Sequence, residues 1–226
     1  MKIYFDGASI SEITEVLKLG IISGVTTNLS FCKKEMMVNK KDYLEILTDI
    51  KNTIEANKKK ISFSIQVSKN NYNDMILEAE HFKKNFNSSN YDLKIKVPLN
   101  YENFKAINQL IKKEIKVNAT CVTSLMQGVA AANLGCSYVS FFWGKMTDED
   151  IDPKKIIYDF KNLLIKNSLD KTTKILVGSI RQPQVVSEAF VCGADIVTMQ
   201  FLNFKKILNQ LKSDEANLLF QADWNR

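Results

Sequence analysis

The chain has 226 residues, a length that suits one generous domain or a complete barrel of alternating strands and helices and leaves a two-domain enzyme cramped. Hydrophobic residues make up 45% and charged residues 25%, which excludes disorder as the main state. The 31 Lys and Arg against 25 Asp and Glu give +6, spread along the chain, which favours anionic ligands but forms no basic and aromatic patch for nucleic acid. The single histidine, His81, excludes a His-rich metal site and most pairings of imidazole with another catalytic group.

Cys32, Cys121, Cys136 and Cys192 form no C-x-x-C pair and read as four reduced thiols, three of them in apolar surroundings, with no metal site. The start, Met1-Lys2-Ile3-Tyr4-Phe5-Asp6, reads as a strand and not as a signal peptide. No apolar run reaches membrane-spanning length, so a cytoplasmic protein is expected.

Strand candidates are Lys2 to Asp6, Gly24 to Thr27, Ile61 to Val67, Asp92 to Val97, Val117 to Val122, Tyr138 to Trp143, Lys174 to Gly178 and Asp195 to Met199. Between them the apolar spacing turns helical. Ile10, Ile13, Val16 and Leu17 share one face, with Ser9 as cap and Gly20 as stop. The stretch from Ser30 to Lys60 predicts an elaborated connection with an Asn/Lys-rich segment and one long helix carrying Leu47, Ile50 and Ile54. Phe104, Ile107, Leu110 and Ile111 fit a helix beginning near Asn100. Pro183 stands where a first helical residue should, and Gly193 ends that helix.

Strands alternating with helices imply parallel pairing, because the helix supplies the crossover that parallel neighbours need. An open doubly wound sheet normally carries a glycine-rich turn after its first strand, and Asp6-Gly7-Ala8-Ser9 lacks it. The expectation is therefore a single-domain (β/α)₈ TIM barrel over residues 1–226 with a C-terminal helical extension.

In such a barrel the site forms where strands end. Those ends carry Asp6, Thr26-Thr27-Asn28, Gln66, Lys96, Asn118 with Thr120, Ser140 to Lys145, and Ser179 with Arg181, groups suited to a polyhydroxylated, anionic ligand. Lys96 lies in an apolar strand. Burying it lowers its pKa and makes its neutral amine a nucleophile toward a ketone, or else its head reaches solvent at the barrel mouth. Period two places Lys94 on the same face, where its charge would lower the pKa of Lys96 further or pair with an acid from a neighbouring strand. Asp6 is either an acid and base partner or a cap on the first helix.

Gly24-Val25-Thr26-Thr27-Asn28, Ile95-Lys96-Val97-Pro98, Val117-Asn118-Ala119-Thr120, Phe142-Trp143-Gly144-Lys145 and Leu176-Val177-Gly178-Ser179-Ile180-Arg181 together resemble the short transaldolase and fructose-6-phosphate aldolase family over nearly the whole chain. The resemblance implies class I Schiff-base chemistry without metal or other cofactor. It also implies a ring-based homo-oligomer, a pentamer or decamer, acting on sugar phosphates without nucleic acid or membrane. By the same resemblance Lys96 forms the imine, Asp6 moves the C4 hydroxyl proton, and Gln66 with Thr120 holds a catalytic water. Asn28, Asn118 and Ser140 hold substrate hydroxyls, with Thr27 and Phe142 beside them. Ser179 and Arg181 bind the phosphate, and Lys145 stands where the family usually has arginine.

Two markers disagree. Gln66 matches the aldolase branch, whereas Phe142 matches transaldolases, the aldolases having a tyrosine there. Leu29 replaces the usual proline after Thr-Thr-Asn. Transfer to an acceptor aldehyde is the first expectation; release of free dihydroxyacetone, and a diverged sugar-phosphate-binding scaffold, are the alternatives.

Overall fold

The computed structural model of the chain describes residues 1–57 and 59–226. Its strands are β1 (Lys2–Asp6), β2 (Ile22–Thr26), β3 (Ile61–Gln66), β4 (Tyr91–Pro98), β5 (Val117–Val122), β6 (Tyr138–Phe142), β7 (Lys174–Gly178) and β8 (Ile196–Met199). They pair in parallel in chain order, and β8 returns to β1 to close a (β/α)₈ barrel. The helices are α1 (Ile10–Lys18), α2 (Leu29–Asn39), α3 (Tyr43–Glu55), α4 (Tyr72–Phe86), α5 (Asn103–Lys112), α6 (Leu125–Leu134), α7 (Trp143–Asp148), α8 (Pro153–Lys166), α9 (Gln184–Val191), α10 (Phe201–Leu208) and α11 (Leu211–Trp224).

The main core lies between strands and helices. Phe63 and Ile65 of β3, Ile95 and Val97 of β4, and Val139 and Phe141 of β6 are buried there against the apolar faces of the helices. Period two then turns Ser62, Ser64, Lys94, Lys96, Tyr138 and Ser140 into the barrel, which makes its interior polar. Tyr4, Tyr138, Leu176 and Ile196 form a separate apolar cluster within the barrel, where the Tyr4 and Tyr138 hydroxyls lie 2.9 Å apart.

Lys94 sits at the level of that cluster, 3% exposed, with Nζ 5.0 Å from the Tyr138 ring centroid. Its salt bridge runs to Asp92 on its own strand instead of to an acid on a neighbouring one. The charges that act on Lys96 are Asp6, Cys121 and Cys32, and Lys94 is not among them. Of the two readings of Lys94, a charge acting on Lys96 or half of an ion pair, the geometry supports the pair, with the acid on its own strand.

Other expectations also shift. The connection from Ser30 to Lys60 holds two helices instead of one. Lys40 ends α2 in the left-handed region at φ 52°, and Asp42 with Glu45 forms a capping box that starts α3. Lys58, in the same connection, lies outside the described residues. The helix expected near Asn100 begins at Asn103, whose N–H donates to Asn100 Oδ1 at 2.8 Å. Pro183 occupies the cap position of α9, one residue before the helix. Two cysteines, Cys32 and Cys136, are buried, not three; Cys192 is half-buried and Cys121 exposed. Among the described residues no helix is long and apolar enough to cross a membrane.

Candidate active site

A cavity of about 180 Å³ opens at the C-terminal ends of the strands, and Asp6, Asn28, Lys96, Asn118, Ser140, Phe142 and Ser179 line it. Lys96 is 6% exposed, and its Nζ donates to the Thr27 carbonyl at 2.9 Å. Burial drives its pKa below the ordinary lysine value, with the Asp6 carboxylate acting in the opposite sense. Burial likewise raises the pKa of Asp6, while Lys96 and a 2.8 Å hydrogen bond from Thr26 Oγ1 work to lower it. Asp6 does not cap α1; Ser9 stands in the cap position, and its hydroxyl lies 3.0 Å from that of Ser11.

The polar floor is interconnected. Ser140 Oγ donates to Asn118 Oδ1 at 2.6 Å, which orients the Asn118 amide so that Nδ2 donates to Ser64 Oγ at 3.3 Å. Asn28 caps α2 by accepting from the Phe31 N–H at 3.0 Å, a bond that fixes its side chain at the mouth. Thr27 is fully buried, its hydroxyl donates to the Ser64 carbonyl at 3.1 Å, its carbonyl receives Lys96 Nζ, and it is not among the residues that line the cavity. Gln66 stands opposite Lys96 in the β3–β4 register, and the Tyr43 hydroxyl donates to its carbonyl at 2.5 Å. Thr120 Oγ1 is the one buried side-chain polar atom without a hydrogen-bond partner among the described residues. Neither Gln66 nor Thr120 lines the cavity itself.

At the rim, Ser179 adopts φ 59°, a left-handed conformation that a non-glycine residue takes only where its surroundings impose it. The Gly144 N–H donates to the Ser179 carbonyl at 3.1 Å, and a Cβ at Gly144 would come within 2.8 Å of Ser179 Oγ and Arg181 Nε. Glycine is therefore what lets the start of α7 lie on the Ser179–Arg181 turn. Both guanidinium nitrogens of Arg181 reach Asp148, with Nη2 at 2.6 Å, and Lys145 Nζ is 3.6 Å from the same carboxylate. Arg181 and Lys145 thus flank the mouth already paired, outside the lining of the cavity.

Thr26, expected at the end of β2, also lines the cavity, as do Phe31, Leu176, Gly178, Thr198 and Gln200, which the sequence reading does not place in the site. Period two along Ile196–Met199 carried the signal for Thr198 and Gln200, since both fall on the inward face of β8 and its extension. Asp6, Phe31 and Gln200 are shared with an adjoining hollow of about 260 Å³ that also meets Glu12, Lys34 and Glu35. A larger hollow of about 420 Å³, lined by Lys60, Lys83, Asp92 and Lys116, lies away from these groups. There Lys116 is paired with Asp92 and Lys83 with the Lys113 carbonyl.

The family model described as Transaldolase/Fructose-6-phosphate aldolase matches residues 3–225. A probable transaldolase from Thermoplasma volcanium is 34% identical over 226 residues, covering 100% of this chain and 96% of that protein. One from Petrotoga mobilis is 35% identical with the same coverage, and one from Thermoanaerobacter sp. is 33% identical with 98% of its length covered. Among solved structures, the L230A mutant of flavocytochrome b2 with benzoylformate superposes with a TM-score of 0.60 at 13% identity. The match covers 89% of this chain and 56% of that one, a likeness of fold alone. With a closed eight-stranded barrel, a buried lysine facing a carboxylate at its mouth, and full-length relatives of one kind, the chain belongs to the transaldolase/fructose-6-phosphate aldolase family of aldolase-type enzymes.

Proposed function

We propose that the chain is a transaldolase, moving a dihydroxyacetone unit from a ketose phosphate of the fructose 6-phosphate type to an aldose phosphate through an imine on Lys96. The observation that carries this reading is the burial of Lys96 beside Asp6, which lowers the amine's pKa and supplies a base for the same substrate. The neutral amine adds to the C2 carbonyl, and loss of water leaves the protonated imine. Asp6 then takes the C4 hydroxyl proton as the C3–C4 bond breaks, releasing an aldose and leaving an enamine on Lys96. Attack of the enamine on an acceptor aldehyde forms the new bond, Asp6 returns the proton, and water hydrolyses the product imine.

Asn118, Ser140 and Asn28 suit the hydroxyls of the three-carbon unit, since all three are already oriented around the cavity. Gln66 and the unpartnered Thr120 hydroxyl suit a water held beside Lys96. Ser179, Arg181 and Lys145 suit the phosphate, with Arg181 and Lys145 shared with Asp148.

Phe142 favours transfer over free cleavage. Its ring lines the cavity and offers no hydroxyl to protonate the enamine carbon, so the three-carbon unit waits for an aldehyde. Product formation from fructose 6-phosphate is expected to depend on added erythrose 4-phosphate. A rate independent of that acceptor would assign the chain to free cleavage instead, and no turnover or imine with any ketose phosphate would leave only the scaffold reading.

A homo-oligomer is proposed on the strength of α11, and five or ten copies is what the family resemblance implies. None of its residues is buried, and Leu211, Leu218, Leu219, Phe220 and Trp224 are 65–89% exposed. A 14-residue helix is marginal in water by itself, and this one needs a cover for its apolar side chains. In light scattering, a chain ending at Ser213 is expected to give a smaller particle than the full chain; an unchanged mass would remove α11 from the subunit contact. The free thiols of Cys32, Cys121, Cys136 and Cys192 fit the proposed cytoplasmic location.

A further inference from the structure

Asp6 stands at the end of a chain of hydroxyls. Thr26 Oγ1 lies 2.8 Å from Asp6 Oδ1 and 2.7 Å from Thr198 Oγ1. Both threonines are buried side chains at the cavity wall, Thr26 at 1% and Thr198 at 4% exposed. The orientation of Thr198 has a cause on β7: a Cβ at Gly178 would lie 3.3 Å from Thr198 Cγ2. The bare glycine thus receives the methyl and leaves the hydroxyl for Thr26. The remaining acceptor near Thr26 is the Phe5 carbonyl, at 3.5 Å the outer limit of a hydrogen bond.

Proton counting fixes the direction of the chain. An ionised carboxylate only accepts, and a hydroxyl has a single proton to give. With Asp6 ionised, Thr26 donates to Asp6 and accepts from Thr198. With the proton on Asp6 Oδ1, that proton is donated to Thr26, Thr26 turns its own onto Thr198, and Thr198 turns its own into the cavity that it lines. We infer that Thr198 is a positioning residue for Asp6. Its hydroxyl lets the Thr26–Thr198 pair reverse direction, so that both protonation states of Asp6 are hydrogen-bonded without any heavy atom moving. The inference rests on the reading of Asp6 as the acid and base of the proposed reaction.

The charge that acts on Asp6 comes from Lys96 on β4; β2 and β8 bring only Thr26 and Thr198 to it. Glu12 of α1 and Lys34 and Glu35 of α2 meet the adjoining hollow, but they are not among the groups that shift Asp6.

The two threonines then have opposite effects. Thr26→Val removes the donor to the ionised carboxylate, so the Asp6 pKa rises. Thr198→Val leaves that donor in place but strands the Thr26 proton whenever Asp6 is protonated. A buried donor without an acceptor is less tolerable than an under-used lone pair, so the Asp6 pKa falls.

The test is the titration of the Asp6 carboxyl in the full chain without substrate, by ¹³C NMR with aspartate labelled at Cγ and the signal assigned through Asp6→Asn. Relative to the unsubstituted protein, T26V is expected to move it up and T198V down, each by roughly half to one pH unit. T198S is expected to restore the original value, and the acid limb of the rate profile is expected to follow. No movement in T198V, movement in the same direction as T26V, or failure of T198S to restore it would overturn the inference. If T198V does not fold, T198A carries the same expectation. Because the titration needs no turnover, it separates failure of the relay from failure of the base assignment; the adduct trapped on Lys96 in the Asp6→Asn variant tests the latter.

Discussion

Lys96→Met is expected to lower turnover by more than about 10⁴-fold, since no other group in the cavity can form the covalent intermediate. The same variant is expected to melt about 2–4 °C higher at neutral pH, and the two effects have one origin. An ammonium that is 6% exposed, with one hydrogen bond to the Thr27 carbonyl, has lost most of its hydration. Two terms oppose each other: methionine removes that desolvation, but it also removes the charge that faces Asp6. Desolvation is the larger, because the pKa of Lys96 is lowered in spite of Asp6, and Asp6 keeps the Thr26 proton and some exposure to solvent. The gain also depends on pH. Below the depressed pKa of Lys96 both folded and unfolded chains carry the proton and the full penalty applies; above the unfolded value, about 10.4, neither does. The advantage of Lys96→Met in thermal denaturation therefore shrinks as pH rises through that window. Lower stability at every pH would show that the pair with Asp6 outweighs the burial.

Asp6→Asn is expected to lower the transfer rate by roughly 10²–10⁴-fold while leaving imine formation intact. Asparagine keeps the size and the acceptor toward Thr26, but it cannot take the C4 hydroxyl proton. The intermediate before that step then accumulates, so reduction with borohydride should trap the whole ketose on Lys96 in place of a three-carbon unit. Loss of the carboxylate also removes the charge that works to raise the pKa of Lys96. The free amine is then available at lower pH, and the onset of trapping moves down the pH scale. A three-carbon adduct formed at the normal rate in Asp6→Asn would remove Asp6 from the proton transfer.

Much of this was written into local pattern. Apolar runs of four to eight residues separated by helical spacing placed all eight strands, with three of them matching end to end: Lys2–Asp6, Val117–Val122 and Lys174–Gly178. Lys96 stood out because an inward lysine between Ile95 and Val97 is costly, and the barrel does bury it. The split of the long connection had a local signal too, the Asp42 and Glu45 pair that forms the capping box, which the apolar positions of Leu47, Ile50 and Ile54 overshadowed. Tertiary partners were less accessible. Asp92 as the mate of Lys94, and Asp148 as the carboxylate shared by Arg181 and Lys145, depend on side-chain reach and not on spacing alone. Thr198 and Gln200 carried only a period-two signal on a short strand, and their partners follow from closure, which brings β8 beside β1.

The most direct measurement is reduction of the unsubstituted protein with borohydride in the presence of fructose 6-phosphate, followed by peptide mass analysis. A three-carbon adduct on Lys96 is expected, decreasing when erythrose 4-phosphate is added as acceptor. Absence of any adduct across several ketose phosphates, or an adduct on a different lysine, would contradict the imine on Lys96.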